Sequence, residues 1–145
     1  MLLPIRRIIA SAMLLILAVG CGGPQASGGP GVPAMPACAQ VGTPVALPPG
    51  FPQSVPMPAG TVITSVETRT EGRIVVNGVI PTDVKAAGAF FEQQLPAAGF
   101  KITDSEAESN ESEGSFEGNG IKGRWRVRGM ANCPGATDLA LVVGQ

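Results

Sequence analysis

Two stretches of this chain alternate charge with a period of two, and they carry opposite signs. Asp104, Glu106 and Glu108 form the acidic set; Lys122, Arg124, Arg126 and Arg128 form the basic one. On a strand that spacing puts each set on a single face. Crowded carboxylates can hold Ca²⁺, which takes about six to eight oxygens at close range. Residues 104–117 lack the spacing of a calcium loop, however, and an exposed acidic strand face accounts for the same pattern, so no metal site is expected. For the bases the functional reading is a stripe that binds phosphates, lipid headgroups or acidic cell-wall polymers. The structural reading is charge pairing with the acids of a neighbouring strand.

Histidine and tyrosine are absent. That removes the commonest general base, the commonest zinc ligand and every Ser-His arrangement. No phosphate-cradling loop or dinucleotide fingerprint is present, and Gly118-Asn119-Gly120 reads as a hairpin turn. The chain is therefore not expected to be an enzyme, and no cofactor is implied. A glycosidase would need two carboxyl groups converging in a pocket at about 5 to 9.5 Å.

The remaining reactive groups are three cysteines, Cys21, Cys38 and Cys133. Cys21 closes the run Leu17-Ala18-Val19-Gly20-Cys21, which follows Arg6, Arg7 and an uncharged apolar stretch over residues 8–19. A membrane-spanning helix needs about 20 apolar residues, so this shorter run reads as a signal segment, residues 1–20. The context of the arginine pair suits the general secretory route better than twin-arginine export. The run resembles the lipobox of bacterial lipoproteins, with Ala18 where leucine is commonest. The resemblance implies cleavage before Cys21, a diacylglyceryl group on its thiol, and attachment to the outer face of a cell membrane, or to an outer membrane where one exists. An ordinary signal peptide with a chance cysteine is the plainer alternative. Two or three lipid chains hold a protein stably where one does not.

Outside the cell two further cysteines are most simply a disulfide, and Cys38 with Cys133 is the expected pair. Closing a loop of some ninety residues contributes on the order of 4 kcal/mol in the chain-entropy account. Redox or metal-binding thiols would call for a CxxC spacing or a histidine, and neither is present. Removing the signal takes two arginines and no acid, leaving eight bases against eleven acids. That balance gives no reason to expect nucleic acid.

The elements that would position these groups follow from composition. Residues 21–37 are too rich in Gly and Pro to hold a core and read as a tether. Residues 38–60 contain Pro44, Pro48, Pro49, Pro52, Pro56 and Pro58, which excludes helix, and read as an ordered extended arm. Residues 61–145 read as one domain. Strands are expected over 61–69 and 73–80, joined by Thr70-Glu71-Gly72, with Val66 opposite Val76 and Val62 opposite Ile80. A helix over 84–95, capped by Asp83 and finished by Gly99, presents Val84, Ala87, Phe91 and Leu95 to a sheet. Extended structure resumes at 100–108, and residues 109–113 read as a polar turn. If Asn119-Gly120 is a two-residue turn, Glu117 faces Lys122, Glu113 faces Arg126, Trp125 lies opposite Gly114 and, if pairing extends, Glu111 faces Arg128. A turn at Lys122-Gly123 is the competing register. A last strand covers 137–143. The order ββαββββ predicts a two-layer α+β domain, one helix on a mostly antiparallel sheet of five to six strands.

Phe90-Phe91-Glu92-Gln93-Gln94-Leu95-Pro96-Ala97-Ala98-Gly99-Phe100 resembles a segment of small exported proteins of high-GC bacteria, in which an aromatic-bearing helix stops at Leu-Pro-x-x-Gly before a strand. The resemblance extends to Val55-Pro56-Met57-Pro58-Ala59-Gly60 and implies a structural signature, with no catalytic residues to transfer. The expected function is that of a lipid-anchored accessory or binding protein with an envelope protein as partner. The alternative is a small-ligand module, with an apolar cleft between helix and sheet or an anion site at Arg124, Arg126 and Arg128.

Overall fold

The structure, a computed structural model, describes residues 31–145. The signal segment and Cys21 lie outside the described residues. Six strands form one antiparallel sheet: β1 (Val62–Thr68), β2 (Ile74–Ile80), β3 (Lys101–Ala107), β4 (Glu111–Gly118), β5 (Ile121–Gly129) and β6 (Thr137–Gly144), in the spatial order β1-β2-β6-β5-β4-β3. Helix α1 (Val84–Ala97) links β2 to β3 and packs across β3, β4 and β5. The α+β expectation holds, with the last strand inserted in the middle of the sheet.

Every second residue of β4, β5 and β6 faces the helix side: Ser112, Gly114 and Phe116; Trp125 and Val127; Thr137, Leu139, Leu141 and Val143. These meet Ala87, Phe91 and Leu95 of α1 in the main core. Gly114 and Gly123 are required by their partners. A Cβ on Gly114 would lie 2.6 Å from the Asp104 carbonyl oxygen and inside the Trp125 ring, and one on Gly123 would overlap Phe116. Each aromatic thus covers the glycine opposite it on the neighbouring strand.

The β4-β5 hairpin turns at Asn119-Gly120, with φ of 54° and 73°. Both positive angles belong to the type I′ turn that Asn-Gly favours. Its register puts Glu117 opposite Lys122, Glu113 opposite Arg126 and Glu111 opposite Arg128, so the competing register is not adopted. Glu111 and Glu113 are strand residues, in contrast to the expected polar turn over 109–113. The Glu108 N–H donates to the Glu111 carbonyl at 2.8 Å, so the reversal is confined to Ser109 and Asn110. Arginines on β5 hold both acids in the ladder.

Between β1 and β2, Val66 faces Val76 as expected, but Val62 faces Val79 rather than Ile80. The register shifts between Ile63 and Ser65, so Thr64 is an extra, bulged residue. Gly78 permits the bulge: a Cβ there would lie 2.7 Å from the Val62 carbonyl oxygen. The Asp83 carboxylate accepts a hydrogen bond from the Ala86 N–H at 2.9 Å and caps α1. The helix runs two residues past the expected end, through Pro96. Its last carbonyls are satisfied by Ala98, Gly99 and Phe100, with Gly99 at φ 87°.

The proline-rich arm belongs to the fold. Phe51 and Val55 are 3% and 4% exposed and complete the main core beside Ile63, Ile74 and Val76, where α1 does not reach. The Val45 N–H donates to the Ile63 carbonyl at 2.9 Å. Cys38 and Cys133 are joined, with Cα atoms 5.3 Å apart. The bridge sits in a second apolar cluster of Ala39, Val79, Cys133 and Ala136, flanked by Met35, Val41 and Met130. Within the stretch read as tether, Met35 packs on that cluster, and Val32 and Pro33 lie against Gly60.

Candidate functional site

Side chains on the far face of the sheet from α1 form parallel rows. Glu106, Glu113, Arg126, Ala140, Asn77 and Ser65 make one row from β3 to β1, and Glu111, Arg128, Asp138 and Val79 make the row beside it. All four bases of the β5 stripe stand on this face and are exposed. The structure therefore brings Lys122, Arg124, Arg126 and Arg128 together as the alternation predicted.

Their partners are only partly those that register suggests. Arg128 pairs with Glu111, its Nε donating at 2.6 Å. Glu113 faces Arg126 but accepts instead from Arg124, diagonally placed, at 2.6 Å. Glu117 faces Lys122 without forming an ion pair. Among the described residues, Lys122 and Arg126 have no ion-pair partner. Cross-strand pairing thus explains half of the stripe and leaves two cations unaccounted for.

Beside Arg126 lies a trough of about 270 Å³, with Arg126 and Arg128 on one side, Thr64 and Asn77 on the other, Ala140 between them and Asp138 at one end. The trough exists because the residue facing Arg126 across β6 is only alanine. The bulge at Thr64 places that side chain on its rim, as bulges near binding sites do. Nothing in the sequence marked Asp138 or Ala140, because the signal is their place in the strand order. The Asn77 amide is fixed by a 3.0 Å hydrogen bond to the Ser65 hydroxyl.

The acids Asp104 and Glu106 share this face with Glu113, Glu106 lying directly opposite it. No group of three or more acidic, cysteine or histidine side chains among the described residues is arranged to hold a metal ion. At the centre helix and sheet pack closed, with Phe91 and Trp125 stacked at 5.8 Å between ring centroids beside Leu95 and Phe116, whereas a cleft of about 370 Å³ opens between the first turns of α1 and the β3–β4 reversal, lined by Val84, Gly88, Ala89, Ala107 and Ser112. A larger cleft of about 620 Å³ opens at the hairpin tips, lined by Gly50, Ile74, Ile121 and Val143, with Glu71 its single charged side chain. No helix among the described residues is long and apolar enough to cross a membrane. Comparison of the chain with family models, curated proteins and solved structures gave no match.

Proposed function

We propose that this chain is an exported lipoprotein, held on a membrane by lipid on Cys21, whose domain is a non-catalytic binding module of the cell envelope. The outer face of the sheet is the working surface. The observation that carries the binding part is the pair of cations, Lys122 and Arg126, left without partners on a face that α1 does not cover. Pairing with the acids of β4 does not account for them. Export is supported by the apolar run ending at Cys21 and by the Cys38–Cys133 bridge, since such bonds persist in oxidising compartments.

The geometry also limits the reach of the domain. Val32, Pro33 and Met35 lie against it, so no more than the eleven residues 21–31 separate it from the lipid. Eleven residues reach at most about 40 Å however they are arranged. The domain therefore works close to the membrane surface. Crosslinking the full-length protein in its own membranes, followed by capture through a tag after Gln145, should recover one near-stoichiometric envelope protein. Clean recovery of the chain alone would remove the protein-partner reading and leave the sheet face for a smaller ligand.

A further inference from the structure

Two cations and one anion line the trough: Arg126, Arg128 and Asp138. Arg126 has no ion-pair partner among the described residues, and neither does Asp138. Asp138 faces Arg128 across the ladder, yet Arg128 is committed to Glu111 on the other side. Arg126 and Asp138 are diagonal neighbours on adjacent strands, a placement that sets such residues about 7 to 8 Å apart. Opposite charges that form no pair with each other and line one concavity match a ligand that carries the reverse pair.

We propose that Arg126 and Asp138 form a site for a small zwitterion, an anionic phosphate joined by a short linker to a primary ammonium. Phosphate oxygens accept from the Arg126 guanidinium, and the ammonium donates to the Asp138 carboxylate. Thr64 and Asn77 on the far rim offer further polar contacts, and the methyl group of Ala140 leaves the space. A plain anion fits less well, because Asp138 would repel it. A plain cation meets the same objection from Arg126.

The source of such a ligand follows from affinity and place. Two exposed charged contacts support only weak binding, with a Kd of about 1 to 10 mM. A site that weak cannot collect a dilute solute. It is effective when the ligand is presented at high local concentration, as headgroups are to a domain tethered above them. The trough also borders Val79, which packs with Ala39 and Cys133 where the chain arrives from its tether. A phosphoethanolamine headgroup of the membrane below meets these requirements. This choice of source rests on the lipoprotein reading, whereas the zwitterion site itself does not.

The test is an amide NMR titration of the full exported chain, solubilised in an uncharged detergent, with O-phosphoethanolamine, inorganic phosphate and ethanolamine as separate probes. Saturable shifts at Asn77, Arg126 and Asp138 to Ala140 are expected with O-phosphoethanolamine, and weaker ones with either half alone. Arg126→Ala and Asp138→Asn should each weaken binding about tenfold, while Arg69→Ala, an exposed arginine outside the trough that pairs with Glu67, should leave it unchanged. All three positions are exposed, so the fold should survive each change. No saturable shift, equal binding of phosphate alone, or indifference to Arg126→Ala would overturn the site. Repeating the titration with bicelles containing and lacking phosphatidylethanolamine separates the sources. A response confined to the soluble probe would overturn the headgroup. Because the soluble probes bind irrespective of lipid on Cys21, a null titration leaves the anchor standing, and a loss of the anchor leaves the site standing.

Discussion

Replacing Trp125 with alanine should cost about 3 to 5 kcal/mol, the largest effect of any single substitution in the chain. The side chain is fully buried and stacks on Phe91 at 5.8 Å and Phe116 at 6.3 Å, so it joins helix to sheet at the centre of the core. Gly114 beneath it has no side chain to fill the space. A cavity here cannot collapse onto a neighbour. Since domains are stable by only about 5 to 15 kcal/mol, the thermal midpoint should fall by about 10 to 20 °C. Trp125→Phe separates packing from polarity. The indole N–H is buried without an acceptor, and phenylalanine removes that donor while keeping most of the ring, so its cost should be about 1 to 2 kcal/mol. Chemical denaturation of the two variants measures both. An alanine variant as stable as the parent would mean that the helix is not held by this stack.

The second large effect is loss of the Cys38–Cys133 bond. Replacing both cysteines with serine should cost about 2 to 5 kcal/mol, because the bond spans 95 positions and constrains the unfolded chain. It should also have a local signature. Residues around Cys38 are tied down by the small cluster of Ala39, Val79 and Ala136, whereas Phe51 and Val55 are held by the main core. Limited proteolysis of the variant should therefore cut in residues 31–43 first and spare residues 51–55 under the same conditions. A bond-free chain with an unchanged midpoint and unchanged protection would show that apolar packing alone fixes the arm.

The same hierarchy explains what was legible in the sequence. Asn119-Gly120 fixed its hairpin register because few residues accept two successive positive φ angles, and from that turn every pairing out to Glu111 and Arg128 follows. Asp83 and Gly99 marked the helix ends through hydrogen bonds that depend only on near neighbours. The bulge at Thr64 was missed, although Gly78 carried the signal: a glycine inside a valine-rich strand marks close approach of another backbone. Residues 109–113 read as a turn because acids and serines disfavour strands in isolation. Arg124 and Arg128, distant in sequence, reverse that preference. The insertion of β6 between β2 and β5 had no local signal at all, since its alternating apolar residues suit any neighbour.

The candidate site divides in the same way. The four bases of β5 could be placed on one face from their spacing alone. Which of them are neutralised could not, because Glu113 reaches the diagonal Arg124 in preference to Arg126 directly opposite. Asp138 and Ala140 join the site only through the strand order. The trough is thus a tertiary feature assembled from three strands and a bulge.

If the domain works from a lipid anchor on Cys21, as we propose, the intact mass of the mature N-terminal peptide from purified membranes reveals it. The expected peptide begins at Cys21 and carries a diacylglyceryl mass, and Cys21→Ser should release the protein into the soluble fraction. An exported chain with an unmodified Cys21, or one cleaved elsewhere, would contradict the anchor.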